Sequence, residues 1–426
     1  MDLLPILQSA GETSALEAVA RGWEESQASF PEGGGPLLSA EAVAESAGFA
    51  GFGLEHGAWL VDAARRVKAV PGLDRVLWHC FRTVFFGQGQ ADLKGWPSWQ
   101  NALGDAGGAF YLLVGLGGVP EVRAAHRKRG IPEDVTRDTC RQARSFSENH
   151  ERGHGGKPGI YISQITWLRH YVHEPYYRLG RLEFWLSAFG GDVHVYRHRR
   201  EGHVLALAED GKTFNHEGYV DGSAGKWDAE GGWVASFSET ETEAVGFPYF
   251  PAGMAVRRKV RLPLADWEPV LAKGTWALDM HIPAGGSMGP DACLAAHRKA
   301  LEFFDRHHPE NRWAAIVCDS WIFNTQLDGI LPADANMVRY QRDLYLHPVR
   351  SSGQDGLWFI FLQEQPLDLK TAPRESHLQK AILQFLEAGN TWRGGAMFIL
   401  REHAGLIGRQ HYRTNWPAAL AAAGND

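Results

Sequence analysis

Hydrophobic positions fall at two different spacings along this chain, and the change from one to the other divides it. From the start to about residue 150, apolar residues recur at three- and four-residue steps between glycine and proline stops, which predicts helices over 3–25, 39–47, 59–67 and 73–86. Leu77, Cys80, Phe81, Val84 and Phe85 give the last of these a broad apolar face. Residues 109–116 are almost wholly apolar, and Pro132-Glu133-Asp134 opens another helix with two carboxylates in its first turn, where they complement the dipole. PEGGGP at 31–36 is read as a loop. A polar, glycine-rich stretch at 147–159, SENHERGHGGKPG, marks the expected boundary. Beyond it the spacing shortens to two, and strands are predicted at 181–187, 192–199 and 203–208 with turns at Gly190-Gly191 and Glu201-Gly202.

Further strands are expected at 255–262, 276–282, 313–320, 357–362 and 397–401, and another after 337–346. Residues 219–242 read as loop, 324–331 as a short helix or turn closed by Pro332, and 375–387 as a helix. The tail WPAALAAAGND is expected to fray. The fold class is therefore α+β: a helical domain over 1–150, then a mixed α/β domain on one central sheet over 160–410.

Three kinds of local signal meet between Thr275 and Phe304. Trp276, Leu278, Met280 and Ile282 alternate with Ala277, Asp279 and His281 as in a half-buried strand; Pro283 stops it; and Gly285, Gly286 and Gly289 permit a sharp turn. Pro290 stands at a first helical position, and Cys293, Ala296, Ala300, Phe303 and Phe304 continue at helical spacing. A strand running through such a turn into a helix aims several N–H groups at one spot, with the positive end of the helix dipole behind them. That is an anion site of the kind a pyrophosphate occupies. AGGSMGP matches neither the P-loop nor GxGxxG, which disfavours nucleoside triphosphates and dinucleotides. An ordinary βα connection that binds nothing has the same local sequence.

Composition narrows the classes. The 426 residues favour two or three domains, and 44% hydrophobic with 22% charged residues is ordinary for a globular chain. A net charge of −7 argues against nucleic acid as partner. Sixteen Trp and 21 Phe supply core and pocket walls. Cys80, Cys140, Cys293 and Cys318 are widely spaced without CxxC, so neither a zinc knuckle nor a disulfide framework is expected, and a reducing, cytoplasmic setting fits. The beginning of the chain lacks a signal-peptide pattern and no uninterrupted apolar window reaches membrane-spanning length, so no membrane partner is expected. A homo-oligomer is compatible with the helical half.

The order strand, glycine turn, helix, apolar strand, short helix and closing strands resembles the GNAT superfamily of acyl-CoA N-acyltransferases. More specifically, LDMHIPAGG, EFFDRHHPE, VCDSWIFNTQL, ILPADANMVRYQ, SHLQKAILQFLEAG, GIPEDVTRDTCRQ and LGRLEFWL look like bacterial acyltransferases that join an all-helical N-acyltransferase N-terminal domain to a GNAT-like C-terminal domain. The likeness covers most of 70–400, with the HIP and DSW blocks its specific parts. It implies acetyl-CoA or another acyl-CoA as co-substrate, no metal, and a small-molecule amine as acceptor. The family more usually has His in the block Cys318-Asp319-Ser320-Trp321, and Ser in place of Ala335.

Such chemistry needs a CoA site, a polarised carbonyl and a means of deprotonating an ammonium. Backbone groups of Met280, Ile282, Pro283, Ala284, Gly285, Gly286, Ser287 and Met288 are the candidates for binding the thioester and pyrophosphate. His281 is the candidate base; Asp319 and Ser320 would orient it or the amine, with Asp319 able to replace the family's His; Tyr340 would return a proton to the thiolate. Each has a plainer reading: a packed strand histidine, residues capping a turn, a core tyrosine. Cys318 is read as buried rather than nucleophilic. Two other classes remain, a non-catalytic acyl-CoA or small-molecule binder, and a metal hydrolase using His194, His198 and His203 or His307-His308; in a strand, positions four apart stand about 13 Å apart, too far for one ion.

Overall fold

Glycine breaks the first hydrophobic run. Gly11 and Gly22 take φ of 71° and 77°, a left-handed conformation that ends helices, so residues 3–25 form Leu3–Ser9, Leu16–Ala20 and the start of Trp23–Ala28 rather than one helix. The computed structural model describes residues 1–32, 35–87 and 91–421; part of the loop expected at 31–36 and the last five residues of the tail fall outside them. Contacts group the chain into two units, Met1–Leu179 with Ile282–Gly285, and Gly180–His281 with Gly286–Asp426.

The first unit is helical, as its period predicts. Ala40–Phe49 begins where the Ser39 hydroxyl accepts from the Ala42 N–H, followed by Leu54–Ala69 and Leu73–Phe86. The apolar run at 109–116 lies in Gly107–Gly117, of which all but Gly108 are buried. The stretch Gln100–Lys128 is long and apolar enough to cross a membrane, but 72% of its most apolar window is buried inside the protein, as in a core helix. The boundary expected at 147–159 is helical up to Gly153, within Gln142–Gly153. Short helices continue to His173, and the unit itself runs to Leu179.

The second unit is organised on a mixed sheet. Its strands are β1 (Leu182–Ala188), β2 (Trp276–His281), β3 (Ala315–Ser320), β4 (Tyr345–His347) and β5 (Gly395–Leu400), in the spatial order β1-β2-β3-β5-β4. All neighbours are antiparallel except β2 and β3. Parallel neighbours need a crossover, supplied by α1 (Pro290–His307), which buries Cys293, Ala296, His297, Ala300, Phe303 and Phe304. A second, antiparallel sheet joins Val193–His198, Val204–Ala208 and Trp267–Leu271. The last of these was not expected, its alternation being interrupted by Pro269; and the strand expected at 255–262 is split into Met254–Ala255 and Val260–Pro263.

One expected strand is a helix. Leu357–Phe361 follows Gly356 at φ 69° and packs with Ile382, Leu383 and Trp392 in an apolar cluster of its own; a continuous apolar run this short has no period to separate strand from helix. The helix His377–Glu387 starts with a capping box, Ser376 and Gln379 satisfying each other's backbone N–H. In contrast α2 (Asn336–Arg342) begins at Ala335, which has no side chain to cap it, although its φ −57° and ψ 133° are those of a capping residue. Ala335→Ser, which supplies the missing hydroxyl, is expected to stabilise the protein by about 1 kcal/mol, measured as a raised unfolding midpoint.

Candidate active site at the strand fork

The two parallel strands part company. β2 and β3 pair only through Leu278↔Ile316 and Asp279↔Val317. Each nevertheless stays in the sheet on its other side, β2 with β1 as far as His281↔Glu183 and β3 with β5 as far as Ser320↔Gly395. Their carboxyl ends therefore diverge into a fork, and the carboxyl ends of parallel strands are where open sheets bind ligands.

Side-chain alternation sorts the fork residues by face. Asp279 and Val317 are register partners, so Asp319, two residues beyond Val317, lies on the face of Asp279, and so does His281. Met280 and Cys318 face the other way. Asp279 and Asp319 remain open to solvent, yet the protein on either side strips enough hydration to raise both carboxyls from the ordinary value to about 6; Asp319 raises Asp279 further, and Asp355 and Asp192 raise Asp319. A carboxylate on the wall of a concave fork can be reachable by solvent and short of bulk water at once. Neither has a hydrogen-bond or ion-pair partner among the described residues. Their acidic neighbours do: Asp192 holds Lys212 at 2.7 Å, and Asp355 accepts from Ser352 and Gly353.

On the opposite face, Tyr340 from α2 is fully buried. Its hydroxyl lies 2.9 Å from His297 Nε2 and 3.6 Å from the Met280 sulfur. Burial holds the phenol well above its usual pKa and pushes His297 down to about 4, so the pair is neutral. The residue expected to return a proton to sulfur thus sits inside the helix–sheet layer, away from the face of Asp319. Tyr340→Phe strands a buried imidazole nitrogen and is expected to cost about 1–3 kcal/mol, read as a lower unfolding midpoint. Ser320 fills its plainer role: its Oγ accepts from the Ile322 N–H, 3.3 Å away, and caps the turn Trp321–Phe323. Cys318 is buried, and that burial raises its thiol well above the ordinary value, which rules it out as a ready nucleophile.

The loop after β2 turns as the glycines require, Gly285 and Gly286 at φ 77° and 71°. Ser287 organises it: its Oγ accepts from the Gly289 N–H at 3.1 Å and from Asn336 at 2.7 Å, and its carbonyl accepts from Arg181 Nε at 3.2 Å. One amide expected to serve an anion, that of Gly289, is therefore occupied. Those of Gly286, Ser287 and Met288 have no acceptor among the described residues. They precede α1, whose first turn adds further N–H groups, and the Arg181 side chain lies 3.3 Å from where a Gly286 Cβ would stand. At Gly285, grouped with the first unit, the corresponding neighbour is the Glu148 carboxylate at 3.9 Å. A phosphate is therefore better served from Gly286 onward than at Gly285.

The histidines considered as metal ligands are engaged elsewhere. His194 bonds Glu209 at 3.1 Å and stacks on Phe237; His198 accepts from the Glu201 N–H; His203 bonds the Asn415 carbonyl at 2.7 Å. Among the described residues no three His, Cys, Asp or Glu are grouped as metal ligands.

Of the residues expected at the site, the fork brings together His281 and Asp319 on one face. Asp279, on the same face, was not among them; the signal available was a lone acid on the polar side of the strand that carries the HIP block.

Comparison with known proteins gives two family models, the N-acyltransferase N-terminal domain over residues 50–173 and the GNAT-like C-terminal domain over 176–398, the latter spanning more than half of the chain. No curated protein matches by sequence. Among solved structures, the chain is similar to an acyltransferase in complex with CoA and 10C-teicoplanin (22% identity, 94% of this chain and 99% of that one, TM-score 0.62) and to an acyltransferase in complex with decanoyl-CoA and teicoplanin (22%, the same coverage, TM-score 0.61). A mutant acyltransferase in complex with octanoyl-CoA is similar at 22% identity and TM-score 0.60. At that identity the likeness establishes the fold.

Proposed function

This chain belongs to the acyltransferase family that joins an N-acyltransferase N-terminal domain to a GNAT-like C-terminal domain, and from that premise we propose that it moves an acyl group from acyl-CoA to a primary amine by direct attack on the thioester. The observation that carries the reading is the β2/β3 fork, with unpartnered carboxylates on one face and the start of α1 close behind. In this reading the amides of Gly286, Ser287 and Met288, with Arg181, receive the pyrophosphate. The diverging backbone from Met280 to Ile282 polarises the thioester carbonyl. Asp319 takes a proton from the acceptor ammonium, and His281, on the same face, passes it outward. The thioester is already reactive, so positioning supplies most of the acceleration.

The donor is proposed to carry a chain longer than acetyl, because the similar structures hold octanoyl- and decanoyl-CoA. The test is thiol release from acetyl-, octanoyl- and decanoyl-CoA with and without a panel of primary amines, with new amides detected by mass. Amine-dependent release with octanoyl- or decanoyl-CoA ahead of acetyl-CoA is the expected result. Binding without amine-dependent release would make the protein an acyl-CoA binder instead, and release indifferent to amine would make it a thioesterase.

A further inference from the structure

Asp279 and Asp319 are two like charges on one face of adjacent strands, at the point where those strands stop pairing. Neither has an ion-pair partner among the described residues, and Lys212 offsets the charge of Asp319 only in part. The surrounding charges do not supply one: Lys212 is held by Asp192, Asp355 adds a further negative charge, and His347 is kept neutral by burial. Burial and mutual repulsion are costs that a bound cation would relieve. A pair of open carboxylates fits an ammonium, which offers three donors and one charge, better than a hydroxyl, which offers one donor and none.

We infer that Asp279 and Asp319 together bind the acceptor as its ammonium ion across the β2/β3 fork, which makes Asp279 an acceptor-binding residue and restricts the acceptor to cationic amines. The inference rests on the transfer reading and assigns it a substrate class. Asp279 holds the ammonium while Asp319 accepts one of its protons. The freed lone pair forms the C–N bond to the thioester carbonyl carbon, and the C–S bond breaks with its electrons on sulfur. The second nitrogen proton ends on that sulfur, so that ammonium and thioester become amide, thiol and one proton released to solvent through Asp319.

The test compares wild type with Asp279→Asn, using octanoyl-CoA as donor and hexylamine, spermidine and glucosamine as acceptor probes. Asp279→Asn is expected to raise KM for the amine roughly 10–100-fold, the weight of a charge-assisted contact, while kcat and octanoyl-CoA affinity change less than about threefold. Retained octanoyl-CoA affinity shows the variant to be folded. In parallel, ¹³C NMR titration of the Asp279 carboxyl is expected to give a lower pKa in Asp319→Asn than in wild type, and a lower one again in wild type with saturating hexylammonium. An unchanged amine KM in a variant that still turns over would overturn the role of Asp279 and leave the transferase reading intact. A wild type that binds octanoyl-CoA but acylates none of the amines, with an Asp279 pKa indifferent to hexylammonium, would sink both.

Discussion

Asp319→Asn is expected to lower kcat for amine-dependent transfer roughly 10²–10⁴-fold, the usual contribution of a general base, with donor affinity unchanged. The pH dependence follows from the site. Only the ionised carboxylate accepts a proton, and the fork raises the Asp319 carboxyl to about 6, so wild-type kcat/KM should climb as pH rises through that value and level off above it. A stability measurement provides a second readout. With a folded-state value near 6 for Asp279 and Asp319 against a lower unfolded one, the folded protein binds more protons than the unfolded chain between the two. The contribution of these two carboxyls to stability is therefore fully present in acid and is lost as pH rises through about 6. Asp279→Asn and Asp319→Asn remove that decline, and each should melt higher than wild type at pH 8 but close to it at pH 4. Equal melting shifts at both pH values would show that the carboxylates are not strained by the fork. A loss of activity accompanied by a gain in stability is the signature of a functional site rather than a structural one.

Gly286→Asp is expected to weaken octanoyl-CoA binding about 100-fold, equivalent to about 2.7 kcal/mol. The substitution acts in two ways. Gly286 sits at φ 71°, where any side chain costs about 1–2 kcal/mol, and its Cβ would stand 3.3 Å from Arg181, so the new carboxylate neutralises the cation assigned to the pyrophosphate. Arg181→Ala removes the cation without the strain and should cost roughly tenfold or more, in the range of a lost charged hydrogen bond. Octanoyl-pantetheine, which lacks the pyrophosphate, separates these effects from general damage. Its affinity should be indifferent to both substitutions, and a parallel loss for both donors would remove the phosphate assignment from this loop.

The centre of the second unit was legible because its signals are local: alternation to His281, glycines at the turn, Pro290 at the first turn of α1. The broken helix at 3–25 was not, since a glycine within a helical period ends the helix only when the chain turns there. Residues 357–362 were misread because an apolar run of that length carries no period, and the cluster that settles it brings in Ile382 and Trp392 from far along the chain. Asp279 was overlooked for a similar reason. An acid on the polar side of a strand is unremarkable by itself, and only the parallel register with β3 sets it beside Asp319. Tyr340 carried two readings, an acid and a core tyrosine, and the structure buries it beside Met280 and His297.

The order β1-β2-β3-β5-β4 sets a schedule for assembly. Gly395–Leu400 is the last strand of the sheet to be synthesised, yet it lies between two earlier ones, and β4 has no other neighbour in that sheet. Until residue 400 is available, the outer edge of Ala315–Ser320 faces solvent, and the strand bearing Asp319 lacks its partner on that side. A chain ending before Gly395 would keep every residue assigned to the donor and acceptor yet present two raw sheet edges, and should collect in aggregates rather than persist as a weak enzyme.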